Sequence, residues 1–176
     1  VPFFANLSAM ENYGRNRKTK FDLKKLNYLK RHDISEKSLR RILSRFKNIR
    51  LCVIGDAIVD EYIECTALGM SQEDHNIVLA PGLRHRFVGG ASIVARHAAS
   101  LGAEVIFISV IGDDTSGAYI RKTLESDGIT QKLILDRQRP TTLKQRFQIE
   151  TNTRSRISYL SQENVSEEIE HQIIEF

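Results

Sequence analysis

Two short apolar runs that each stop at Gly-Asp constrain this chain more than any other feature. Leu51-Cys52-Val53-Ile54 ends at Gly55-Asp56, and the run from Val105 to Ile111 ends at Gly112-Asp113-Asp114. The first, continuous run is the signature of a strand buried on both faces, and the second reads as a further strand. Between them a small-residue stretch over about 91–101 predicts a helix closed by Gly102. Strand, crossover helix and strand form a parallel unit with a right-handed connection. Ligands of such sheets gather at the carboxyl ends of the strands, which places Asp56, Asp60, Asp113 and Asp114 near one rim. The helix opens at Val88-Gly89-Gly90-Ala91-Ser92. A glycine pair at a helix start leaves N–H groups uncovered and adds partial positive charge, so this turn can receive a hydroxyl, carboxylate or phosphate. Taken alone, the pair also fits a plain loop-to-helix junction.

The crossover is longer than one helix requires. Alternating segments Asp60–Cys65 and Asn76–Ala80, with turn candidates at Gly69 and Pro81-Gly82, predict a hairpin over the ligand side. A second alternating pair, Thr142–Glu150 and Ser155–Leu160, is joined by residues 151–154. The two hairpins are expected to pair into one antiparallel flap. Between them lie a helix over Thr115–Ser126 closed by Gly128 and a strand near Lys132–Leu135, and a last helix starts at Ser166. Asp114 before Thr115-Ser116 reads as a helix cap more simply than as part of a metal pair.

Charge divides the chain unevenly. Residues 1–50 carry +10 and residues 51–176 carry −6. Residues 12–18 read as an exposed connector. Phe21, Leu23, Leu26 and Leu29 suggest a first helix, and Asp33 with Glu36 suggests a capping box before a second. In that second helix Leu39, Ile42, Leu43 and Phe46 share a face, which is expected to dock on the following domain or on another one. The domain reading is a basic helical connector over 1–48 and an α/β domain over 49–176. A basic block can bind nucleic acid, but sparse aromatics and the absence of zinc spacing make a solvated linker helix the better reading, with nucleic-acid binding kept as a rival.

Hydrophobic residues make up 41% of the 176, enough for a core, and no apolar run is long enough to span a bilayer. Two cysteines without ligand spacing read as inert packing residues and fit a reducing, cytoplasmic setting without a membrane partner. The five histidines show no metal spacing, so no metal ligands are assigned. The chain opens on Val and closes inside an apparent helix, which suggests a portion of something longer, with an exposed strand edge and self-association as expected consequences.

Taken together, Val53-Ile54-Gly55-Asp56-Ala57-Ile58-Val59-Asp60, Gly89-Gly90-Ala91-Ser92, Gly102 and Gly112-Asp113-Asp114 resemble the N-terminal half of the PfkB/ribokinase family of carbohydrate kinases. Phe87-Val88-Gly89-Gly90, the Ala-Ser-Leu-Gly at 99–102 and Pro140-Thr141-Thr142-Leu143-Lys144-Gln145-Arg146 look most like kinases of manno-heptose 7-phosphate. The resemblance covers roughly 49–176. It implies a ribokinase-like α/β fold, a parallel sheet with helices on both faces and a hairpin lid over about 60–88 and 140–162. It further implies a cytoplasmic phosphotransferase using ATP and Mg²⁺ on a sugar or sugar phosphate, a homodimer through the lid strands, and a nucleotidyltransferase domain on the N-terminal side of the intact protein. Asp56, Asp60, Gly89, Gly90 and Ser92 would bind substrate, and Lys144 and Arg146 would face its phosphate. Two departures stand out. Ile93 occupies a position where the family commonly has a sugar-binding Asn, and the family's Gly-Ala-Gly-Asp turn with its catalytic Asp occurs nowhere in the 176 residues. No catalytic residue is therefore assigned, this portion alone is expected to be inactive, and a non-catalytic interaction module is the alternative.

Overall fold

The computed structural model describes residues 27–150 and 152–175. The chain divides into two compact units, Val1–Ser44 and Arg45–Phe176. In the first, residues 27–31 are helical and helix α1 spans Glu36–Arg45. Most of the predicted first helix, at 21–26, and the connector at 12–18 lie outside the described residues. The cap of α1 is not the expected Asp33–Glu36 pair. Asp33 has φ 50°, and the Ile34 N–H reaches the Leu29 carbonyl at 2.8 Å while the Asp33 N–H reaches that of Lys30 at 3.2 Å. This is the left-handed closure of the preceding helix. Ser35 and Ser38 cap α1 instead: the Ser38 N–H donates to Ser35 Oγ at 3.0 Å and the Ser35 N–H to Ser38 Oγ at 2.9 Å. Leu39, Ile42 and Leu43 are exposed.

The second unit holds two sheets. A 3-10 turn at Phe46–Asn48 leads into β1 (Arg50–Ile54). Then follow β2 (Ala57–Met70), β3 (Ile77–Gly90), α2 (Ala91–Ser100), β4 (Glu104–Ile111), α3 (Thr115–Ser126), β5 (Thr130–Leu135), β6 (Thr142–Ile149), β7 (Asn152–Tyr159) and α4 (Glu167–Ile174). The three-stranded sheet has the order β1-β4-β5, all parallel, as the paired Gly-Asp runs predict. Both helices between its strands end at glycines in the left-handed region, Gly102 at φ 102° and Gly128 at φ 69°. Each glycine is followed by the backbone bond that closes the helix, Ala103 N–H to the Ala98 carbonyl and Ile129 N–H to that of Leu124. Asp114 caps α3 by accepting from the Gly117 N–H at 2.8 Å.

The four-stranded sheet has the order β3-β2-β6-β7. It joins the two expected hairpins, but not as an antiparallel flap: β2 and β6 run parallel. The turns also differ from expectation. Ser71 N–H to the Asn76 carbonyl closes the first hairpin, while Gly69 and Pro81-Gly82 lie inside strands next to register shifts. They are bulges, which bend a long hairpin without ending it. In the second hairpin Ile149 pairs with Asn152 and Glu150 takes φ 54°, so residues 152–154, expected in the turn, belong to β7.

One core joins the sheets. Val105, Phe107 and Ile111 of β4 pack with Ile120 and Leu124 of α3, Ala95 of α2, and Ala57, Val59 and Val88 from the base of the four-stranded sheet. β1 does not fit the expectation of burial on both faces. Among the described residues it pairs with β4 alone, Leu51 being 37% and Ile54 60% exposed and Cys52 at the surface rather than packed inside; Cys65 is buried.

Candidate functional site

The chain leaves the three-stranded sheet at Gly55-Asp56 and enters β2 at Ala57, whose N–H donates to buried Ser109 Oγ of β4 at 3.0 Å. The glycine pair is not a loop. It ends β3, with Gly90 opposite Ala57 and Gly89 opposite Ile58. Gly90 has φ 60° and is the residue before α2; a Cβ there would strike the Asp56 carbonyl, which accepts the Ala91 N–H at 2.9 Å. A Cβ on Gly89 would overlap the Asp60 carboxylate. Glycine at 89 thus lets that carboxylate lie against bare backbone. Ser92 is fully buried and donates its hydroxyl to the Gly89 carbonyl, so it holds the turn from below. Ile93 on α2 is half-buried.

Strand β6 supplies the cations. Parallel register puts Lys144 beside Asp60 and Arg146 beside Tyr62. Arg146 forms an ion pair with Asp60, both side chains about one-fifth exposed, and its guanidinium lies 5.0 Å from the Tyr62 ring centroid. The hydrogen bond to Asp60 raises Arg146 above the usual arginine range despite partial burial. Phe87 meets Tyr62 edge to face at 5.8 Å. Asp60, Gly89, Gly90, Lys144 and Arg146 are therefore brought together, with the Asp56 backbone beneath Gly90. The opposite face of β2 carries a second constellation. Glu61, with 0% exposure, accepts from Arg86 Nε at 2.6 Å and Gln145 Nε2 at 2.5 Å, with Arg84 at 3.9 Å. Burial acts to raise its carboxyl, but these donors and charges outweigh it and hold Glu61 below the ordinary carboxylate range.

Asp113 and Asp114 have partners other than those of Asp60. Asp113 is exposed, 3.5 Å from Arg137. Asp114 accepts from the Thr141 N–H at 2.8 Å, and Thr141 Oγ1 accepts from the Gly112 N–H at 2.9 Å. The second Gly-Asp run is thus the seat of β6. Burial acts to raise Asp114, and its backbone donors, Gly117 first, bring it below the usual range. Beside Asp56, Arg139 and Thr142 help line a cavity of about 160 Å³. Arg139 donates to Asp136 at 2.9 Å and to the Asn164 carbonyl at 2.9 Å. Tyr62, Glu61, Arg86 and Arg139 were not singled out from sequence; the period-2 pattern through Asp60 and Tyr62 was the available signal for the first of these.

The family profile described as "pfkB family carbohydrate kinase" matches residues 48–175. The bifunctional protein HldE of Rhodopseudomonas palustris (strain BisA53) is 44% identical over 98 residues, which is 55% of this chain and 20% of that protein. The D-beta-D-heptose 7-phosphate kinase of Bordetella bronchiseptica is 36% identical over 102 residues, 58% of this chain and 33% of that protein. The chain thus spans a fifth to a third of the length of these curated relatives. Among solved structures, a carbohydrate kinase from Agrobacterium tumefaciens aligns with TM-score 0.52 and 18% identity over 62% of this chain and 35% of its own, a likeness of fold alone.

Proposed function

The chain belongs to the pfkB family of carbohydrate kinases, and we propose that it carries the acceptor side of an enzyme that phosphorylates a sugar phosphate of the manno-heptose 7-phosphate kind. The observation that carries this reading is the Asp60 carboxylate, held by Arg146 and lying against Gly89. An aspartate accepts hydrogen bonds from sugar hydroxyls, and the glycine lets the sugar approach the backbone. Arg146 orients the carboxylate through their ion pair, Tyr62 and Phe87 offer an apolar wall for a sugar ring, and Lys144 stands beside Asp60 for a phosphate. The four-stranded sheet would act as a lid that excludes water from the acceptor.

ATP and Mg²⁺ are implied by the family. Among the described residues no group of three or more His, Cys, Asp or Glu side chains is placed to hold a cation, and no step is assigned to either. Supply of the phosphoryl group and of the base that accepts the hydroxyl proton falls to other parts of the intact protein. Dimerisation through the lid strands belongs to the same reading; Leu68, Met70 and Ile77, exposed near the turn end of β2–β3, support it. A nucleotidyltransferase partner domain in a cytoplasmic protein fits the relative whose printed name is bifunctional. No described helix is long and apolar enough to cross a membrane.

Titration with manno-heptose 7-phosphate tests the reading. Saturable binding weakened about tenfold or more by Asp60→Asn, which loses a charged hydrogen-bond acceptor, is the expected result. If the chain binds no sugar or sugar phosphate, and the intact protein transfers phosphate to none across a panel of sugars, the interaction-module alternative replaces it.

A further inference from the structure

The inward face of β2 carries Ala57, Val59, Glu61, Ile63 and Cys65, none more than 9% exposed. Four of them suit an apolar row. The fifth is a carboxylate, the one charged side chain among the buried described residues. Burying a carboxylate, even a partnered one, is costly where an apolar side chain of similar volume would fit. What the acid adds is discrimination between pairings. Glu61 stands opposite Arg86 of β3 and Gln145 of β6, and it accepts a hydrogen bond from each, at 2.6 and 2.5 Å. It therefore clips three strands at one level. Tyr119 of α3 donates its hydroxyl to the Arg86 carbonyl at 2.8 Å, which ties that level to the helix.

Apolar contacts do not fix this level by themselves. Sliding β6 by one residue would turn Leu143 and Phe147 off the inward face, but sliding it by two keeps them there. Glu61 rejects the second kind of slip. Either direction sets Leu143 or Phe147 against its carboxylate, which then loses the Gln145 donor in a buried place. The same slip rearranges the other face of the sheet. Arg146, now beside Tyr62, would stand beside Asp60 in one direction and beside Glu64 in the other, and Lys144 would leave Asp60 in both. The ion pair between Arg146 and Asp60 thus belongs to the one register in which Glu61 keeps its partners.

We propose that Glu61 is a positioning residue for the acceptor site: its bonds to Arg86 and Gln145 select the β2–β6 register that pairs Arg146 with Asp60, so sugar binding on one face depends on a buried carboxylate on the other. The proposal rests on the sugar-kinase reading for its ligand and on the sheet alone for its register. Two measurements on the full chain test it. Calorimetry gives the affinity for manno-heptose 7-phosphate, and NMR gives the exchange rate of the Arg146 guanidinium protons, which reads the ion pair with Asp60 without any sugar. Glu61→Leu fills similar space and leaves Arg86, whose side chain is 35% exposed, free to turn to water, so it should remain folded. It should weaken sugar binding about tenfold and speed the exchange about tenfold, the loss of one charged hydrogen bond at Asp60. Glu61→Gln should recover most of both, because its carbonyl accepts from Arg86 and its amide donates to a turned Gln145. In an Asp60→Asn background Glu61→Leu should change the affinity less than about twofold, since effects that run through one group do not add. Should Glu61→Leu fail to fold, Gln145→Leu, at a half-buried position, puts the same two readings to the β2–β6 half of the clip. Unchanged exchange and affinity in these variants overturn the proposal and leave the kinase reading standing. Equal losses with and without Asp60→Asn overturn the positioning role as well. Faster exchange in the variants of a protein that binds no sugar phosphate upholds the register role and removes the kinase reading.

Discussion

β4 in the three-stranded sheet and β2 in the four-stranded sheet both enter the core, and they leave it differently. β4 keeps Val105, Phe107, Ile108 and Ile111 buried along its whole length, with Phe107 at 0% exposure. β2 starts the same way at Ala57 and Val59, then passes directly to Asp60 on one face and Glu61 on the other. Burial of apolar surface is non-directional and nearly independent of pH, whereas the outer part of the second sheet is held by ion pairs and hydrogen bonds that need particular protonation states. The first sheet is thus a platform, and the second carries chemistry at the cost of a less apolar interior.

The comparison can be broken at four points. Phe107→Ala should have the largest effect, about 3–5 kcal/mol of lost stability in urea unfolding, because a rigid core leaves a cavity; a loss below about 1 kcal/mol would show that β4 is not the platform. Glu61→Ala should cost about 1–3 kcal/mol at neutral pH, discounted because Arg84 and Arg86 reach solvent. Its folded-state carboxyl is lowered, so its contribution is present above the ordinary carboxylate range and is lost as pH falls through the folded value. Unfolding measured at neutral and acidic pH should therefore show the Glu61→Ala deficit closing in acid while that of Phe107→Ala persists. Asp114→Ala should cost about 0.5–2 kcal/mol through the lost cap of α3 and the freed Thr141 N–H. Hydrogen exchange should show faster opening at Thr141 and the start of β6, not only at α3. Arg156→Gln should stabilise the ligand-free protein by a few tenths of a kcal/mol, since it relieves the opposition to Arg146; a measurable destabilisation would mean Arg156 has a structural role.

Legibility followed the range of the interactions involved. The parallel pair, the closures at Gly102 and Gly128 and the Asp114 cap were readable because each depends on a few adjacent residues. The bulges at Gly69 and Pro81-Gly82 carry the same local signature as turns, since a glycine or proline marks a departure from regular strand without saying whether pairing resumes beyond it. The capping box was displaced by two residues for a similar reason: Asp33 serves the end of one helix, and Ser35 starts the next.

By itself the sequence determined the identity and order of the elements, the glycines that close them, and the family whose motifs run from the first Gly-Asp strand end to Pro140-Thr141-Thr142, because these reside in short-range patterns. Tertiary structure alone decided that β2 and β6 pair in parallel and that Asp60, Arg146 and Arg156 share a face. Asp60 and Arg146 are 86 positions apart, and no local rule connects them; only sheet register, set by which apolar residues reach the common core, brings their charges together.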